Sequence, residues 1–143
     1  MYQTSSALSD EPSPLSLDCK REEILHLVPS CTERTDGAGP IVDLGSDRGE
    51  LFVITLGVNH VLENEWLTVS IWGSEDGAEW GSRPLAAFPN KCYCGIYSTF
   101  LDLANYSGIR FLQVRWSMVR WGKGDRGPMF GFYVSAQESV VAR

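Results

Sequence analysis

Leu67-Thr68-Val69-Ser70-Ile71-Trp72-Gly73-Ser74-Glu75-Asp76-Gly77-Ala78-Glu79-Trp80 is the stretch on which the reading of this chain turns. Leu67, Val69 and Ile71 alternate with Thr68, Ser70 and Trp72. A period of two places each set on one face of a β-strand. The Asp76-Gly77 pair then marks a tight reversal, because glycine adopts positive φ at little cost. Trp80 follows as a closing aromatic. The segment predicts a strand that runs into a hairpin turn.

The same alternation recurs on either side. Leu112, Val114, Trp116 and Met118 form an inward set opposed by Gln113, Arg115 and Ser117. Phe130, Phe132, Val134 and Ala136 are opposed by Gly131, Tyr133, Ser135 and Gln137. Thr99, Leu101 and Leu103 share a face. Leu51-Phe52-Val53-Ile54-Thr55-Leu56 is β-branched and continuous enough to predict a strand buried on both sides. Ile41-Val42-Asp43-Leu44 reads as a short strand ended by Gly45. Glu23 to Val28 predicts a strand ended by Pro29, with a short helix capped by Asp18 as the alternative. Residues 30–40 have loop composition. Turn-rich segments separate the strands at Gly73 to Pro84, Asn105 to Gly108 and Gly122 to Pro128. Several short strands with regular punctuation and no helical stripe predict an all-β protein, an antiparallel β-sandwich or a barrel. Pro12 and Pro14 make residues 1–16 an extended or flexible arm, and residues 17–143 a single sandwich domain.

Composition bounds the function. The chain has 143 residues, 43% hydrophobic and 21% charged, enough for one domain with a core. A net charge of −6 disfavours general nucleic-acid binding, which rests on neutralising phosphates. No apolar run approaches the roughly 20 residues that cross a bilayer. The first ten residues carry neither a basic start nor an apolar stretch, so a cytoplasmic protein is expected, and a virion component fits the same features. In that compartment the four cysteines, Cys19, Cys31, Cys92 and Cys94, remain thiols. Cys92 and Cys94 share a face if their segment is extended. They read either as a metal or redox pair or as two small buried hydrophobes, and their spacing fits no zinc pattern.

Three motifs in order resemble discoidin domains, also called coagulation-factor type C domains. Asp43-Leu44-Gly45 resembles the "DLG" that opens a core strand of that family. Ser74-Glu75-Asp76-Gly77-Ala78-Glu79-Trp80 resembles its "S-x-DG-x-x-W" hairpin, and Ile109-Arg110-Phe111-Leu112-Gln113-Val114 its "ARYIRI" strand. The similarity spans roughly residues 41–136. It implies a galactose-binding-like jelly roll that binds glycans, phospholipid head groups or proteins through loops at one end. No tryptophan precedes Asp43-Leu44-Gly45 as the family usually has, and no ligand-contacting motif carries over residue by residue.

Candidate functional residues are aromatic and basic. Trp72 and Trp80 are either ligand or interface platforms or core-packing rings. Trp66, Trp116 and Trp121 complete a tryptophan-rich set, and exposed aromatics concentrate at protein interfaces. Arg115, Arg120, Lys123 and Arg126 gather charge around Trp121, as an anion-binding patch or as a solvated face. Asp43, Asp47 and Glu50 offer oxygens to a cation but match no defined calcium loop. His26 and His60 are the two histidines, with Glu63 and Glu65 near His60, and no nucleophile or metal-hydrolase motif accompanies them. The sequence thus predicts a non-catalytic sandwich without a cofactor. Its expected work is assembly as a homo-oligomer through Trp72, Trp121 and the N-terminal arm, with a carbohydrate- or phospholipid-binding module as the alternative.

Overall fold

The structure, a computed structural model, describes residues 23–121 and 127–139. These form nine strands: β1 (Ile24–Glu33), β2 (Gly37–Ala38), β3 (Val42–Asp43), β4 (Leu51–Val61), β5 (Glu65–Ser74), β6 (Ala86–Lys91), β7 (Gly95–Asp102), β8 (Phe111–Arg120) and β9 (Phe130–Glu138). All their pairings are antiparallel. One sheet has the order β1-β9-β4-β7, the other β2-β8-β5-β6, with β3 beside β2 on the same flank of β8. When β2 and β3 are taken as one interrupted strand, every connection except β5 to β6 crosses between the sheets, the wrapping of a jelly roll. Among the described residues, no helix is long and apolar enough to cross a membrane.

The core lies between the sheets and follows the alternation. Leu67, Val69 and Ile71 of β5 and Leu112, Val114, Trp116 and Met118 of β8 face Phe52, Ile54, Leu56 and Val58 of β4 and Phe130, Phe132, Val134 and Ala136 of β9. Each such aliphatic or aromatic chain contributes about 1.5–3 kcal/mol on leaving water. The Trp116 indole packs edge-on to Phe132 at 5.3 Å and donates its N–H to the Thr35 carbonyl, so its one polar atom is satisfied.

Four expectations need correction. β4 is not buried on both faces: Leu51, Val53 and Thr55 are half-buried, because this sheet has solvent on its outer side. β1 does not end at Pro29 but runs on to Glu33, into the stretch read as loop. It is an edge strand, and its register with β9 slips between His26 and Val28 and between Val28 and Cys31, so the missing proline N–H falls where the ladder is broken. A strand the sequence reading lacked, β6, contains Pro89 and is likewise an edge. The Asp76-Gly77 turn is present, with Gly77 at φ +82°, but it opens a long β5–β6 loop and not a tight hairpin. The arm at residues 1–16 falls outside the described residues.

Candidate functional site

Three connections meet at one end of the sandwich: 44–50 between β3 and β4, 75–85 between β5 and β6, and 103–110 between β7 and β8. Between the second and third lies an open cleft of about 770 Å³, walled by Trp80 and Tyr106 and edged by Glu75, Glu79 and Arg83. A smaller hollow of about 350 Å³ adjoins it, sharing Glu75 and Ile109.

The sequence holds these loops by satisfying their backbone groups. Arg48 donates from Nε to the Ile109 carbonyl (2.6 Å), from Nη2 to the Tyr106 carbonyl (2.8 Å) and from Nη1 to its neighbour Gly49 (2.7 Å). A single guanidinium thus spans the β7–β8 loop, the geometry its planar fork suits. Arg110 forks onto Asp43 at 2.7 and 2.9 Å, and Asp43 also accepts from the Gly45 N–H. The Arg110 hydrogen bond, then the Gly45 bond, holds the Asp43 carboxyl at about 2, below its usual 3.8. Asp43, read as a cation candidate with Asp47 and Glu50, is therefore committed to an arginine. In the β5–β6 loop, Asp76 Oδ1 accepts from the Ala78 and Glu79 N–H groups and from the Ser74 hydroxyl, which lowers its pKa. Asp76 builds the loop, and Glu75, Glu79 and Arg83 remain as the charged groups at the cleft.

Three residues singled out in the sequence converge beside this cleft. The β5–β8 register sets Ser70 opposite Arg115 and Trp72 opposite Gln113. The Arg115 guanidinium lies 4.5 Å from the Trp72 ring centre and 5.7 Å from that of Trp80. The Trp72 N–H is taken by Ser70 Oγ, and Arg115 Nε by Gln113. Trp72 is thus half-buried against a cation on the outer face of β5, neither fully open nor part of the core between the sheets. Trp80 is part of this stack and also a wall of the cleft.

Arg120 and Trp121 are elsewhere. Five residues further along β8, at about 3.3 Å per residue, Arg120 is roughly 16 Å from Arg115. Arg120 donates to the carbonyls of Glu63 and Gly127 at the opposite end of the sandwich. The basic set is therefore divided, and its members Lys123 and Arg126 lie outside the described residues. Trp121 is 46% exposed and rests on Trp66, with ring centres 4.9 Å apart. It borders a hollow of about 720 Å³ with Tyr93, Cys92 and Cys94. Those cysteines sit in the β6–β7 turn and not on one face of a strand. Cys31, Cys92 and Cys94 are free thiols, and burial followed by the charge of Glu33 pushes the Cys31 thiol up. No group of three or more His, Cys, Asp or Glu able to hold a metal occurs among the described residues.

Glu65, which the sequence places only as a carboxylate near His60, is a residue of consequence. Glu65 is 1% exposed; its Oε2 accepts from the Leu62 N–H (2.7 Å) and its Oε1 from the Met129 N–H (2.9 Å). It ties the β4–β5 turn to the approach to β9. The clue was present: Glu65 occupies the same inward phase as Leu67, Val69 and Ile71. His26 and His60 are both exposed. Tyr106, Arg48, Glu79 and Arg83 were not singled out, since only the chain's wrapping brings their loops together. Compared with family models and with curated proteins, the chain matches none.

Proposed function

We propose that this chain is a non-catalytic binding module whose loop-end cleft takes a carbohydrate. The carrying observation is the cleft itself: two aromatic walls, Trp80 and half-exposed Tyr106, with carboxylates and an arginine along the rim, on loops fixed by Arg48 and Arg110. Sugars offer apolar C–H faces that stack on aromatic rings and hydroxyls that bridge charged acceptors and donors. Pre-fixed loops lower the ordering cost of binding. The resemblance to discoidin domains points to the same end of a sandwich. Of its ligand classes, anionic phospholipid head groups fit poorly, because Glu75 and Glu79 outnumber Arg83 at the rim and the chain carries −6 overall. The cytoplasmic assignment belongs to this proposal, supported by free thiols at Cys31, Cys92 and Cys94.

The test is a glycan panel followed by titration calorimetry with the best oligosaccharide. Trp80→Ala and, separately, Tyr106→Ala should each weaken binding tenfold or more, about 1.4 kcal/mol. Absence of saturable binding to any neutral or acidic glycan overturns the reading. A second reading, self-association, is favoured by a different observation: Ile96 and Phe100 on the outer face of β7 are 73% and 66% exposed.

A further inference from the structure

Each sheet has two edges, and an edge strand presents unpaired N–H and C=O groups to any other strand. Three of these four edges are blunted. β1 carries Pro29 and two register slips. β6 carries Pro89 and Lys91, and its register with β5 shifts between Leu67 and Val69. The flank of β8 is covered by β2 and β3, two residues each, with Pro40 between them. β7 is different. Its eight residues, Gly95 to Asp102, contain no proline, lysine or arginine, and pair with β4 from Leu51↔Asp102 to Val58↔Gly95 without a shift. Its one charged residue, Asp102, stands at the very end of the strand, and no kink or bulge interrupts the edge.

Its side chains also match themselves. Ile96, Ser98, Phe100 and Asp102 share the outer face. A two-fold axis at Ser98 places Ile96 of each copy opposite Phe100 of the other in an antiparallel ladder, the apolar pairing that fixes strand register. The surface behind is apolar as well. Phe100 pairs with Val53, while Ile96 pairs with Gly57, across which the Tyr133 ring lies so closely that a Cβ at position 57 would overlap it. We infer that β7 is the edge through which two copies of this chain join into one continuous eight-stranded sheet. This rests on the self-association reading and relocates the contact from Trp72 and Trp121 to β7. A symmetric contact uses one surface twice, so the matching of Ile96 with Phe100 commits the occupant to a second copy. Residues 95–101 pair about the axis at Ser98, and seven residues at about 3.3 Å give a ladder of roughly 23 Å. With four apolar side chains as its filling, it lies at the weak end of interface sizes, dissociating at micromolar concentration.

The experiment is sedimentation equilibrium of the full chain from micromolar to sub-millimolar concentration, with the parent, Ser98→Arg, Phe100→Lys and Trp121→Glu. All three positions are exposed, and circular-dichroism melts confirm folding. The expected result is a parent that moves from one chain to two, a loss of at least tenfold in dimer affinity in Ser98→Arg and Phe100→Lys, and no change in Trp121→Glu. A dimer that survives both β7 variants, or that only Trp121→Glu breaks, overturns the β7 edge and leaves self-association standing. A parent that stays monomeric at every concentration overturns both.

Discussion

At the loop end, Arg48 and Arg110 hold the chain from the outside, through charge-assisted bonds to carbonyls and to the exposed Asp43. At the opposite end, the buried Glu65 works from within the core, accepting from the backbone N–H groups of half-buried Leu62 and Met129. The difference is one of consequence for failure. An exposed fork that breaks returns its partners to solvent and costs little. A buried acceptor that disappears strands two donors. The loop end can therefore stay open around a cleft and tolerate variation, while the other end fixes how β4, β5 and β9 meet.

The strongest test removes the inner tie. Glu65→Ala should lower stability by about 2–4 kcal/mol in urea unfolding, because both the Leu62 and Met129 N–H groups lose their acceptor. Glu65→Gln, which keeps one acceptor oxygen, should lose about 1–2 kcal/mol. If Glu65→Ala unfolds at the parent's midpoint, the contrast between the ends disappears.

A smaller effect is expected from the turn that opens the β5–β6 loop. Gly77 sits at φ +82°, and a Cβ there would meet the Phe111 ring at an ordinary 3.8 Å, so any cost is torsional and not steric. Gly77→Val should cost about 1–3 kcal/mol in thermal melts. A parent-like melt would mean that the loop end gives way at this turn without loss.

The smallest effect sharpens the contrast by pH. Asp43 has its folded pKa depressed to about 2 from 3.8. A depressed carboxyl stabilises fully above its unfolded value and loses that contribution as pH falls towards the folded one. The stability difference between the parent and Asp43→Asn should thus be flat at neutral pH, shrink below about pH 4 and vanish only as pH falls through and below about 2. A difference that grows on acidification would contradict the Arg110 fork.

Strict alternation made the central strands legible. β5, β8 and β9 each have both faces distinguished, so periodicity alone assigned the inward sets of Leu67, Leu112 and Phe130. Edges were harder to read. A proline would break a central strand, but at an edge or a register slip no hydrogen bond is lost, so β1 runs past Pro29 and β6 contains Pro89. Of the cleft, Trp80 was visible as a residue type, and its proximity to Trp72 and Arg115 was not. That proximity depends on Ser70 facing Arg115, a pairing between strands forty-five positions apart in the chain. Tyr106 and Arg83 gave no periodic signal at all, because loop positions are selected by where the wrapping delivers them.

That wrapping also sets an order of events. β9 lies between β1 and β4, so the earliest described strand has no neighbour in its sheet until the latest one arrives. While the chain emerges from the ribosome, β4 and β7 can pair, but β1 waits and the facing flank of β4 stays bare. Closure therefore demands contacts between residues more than a hundred positions apart, such as Ile24 with Gln137, which slows folding and prolongs the interval in which a bare flank can meet another chain. Slow dilution or low temperature during refolding should matter more for this protein than for a sandwich made of consecutive hairpins.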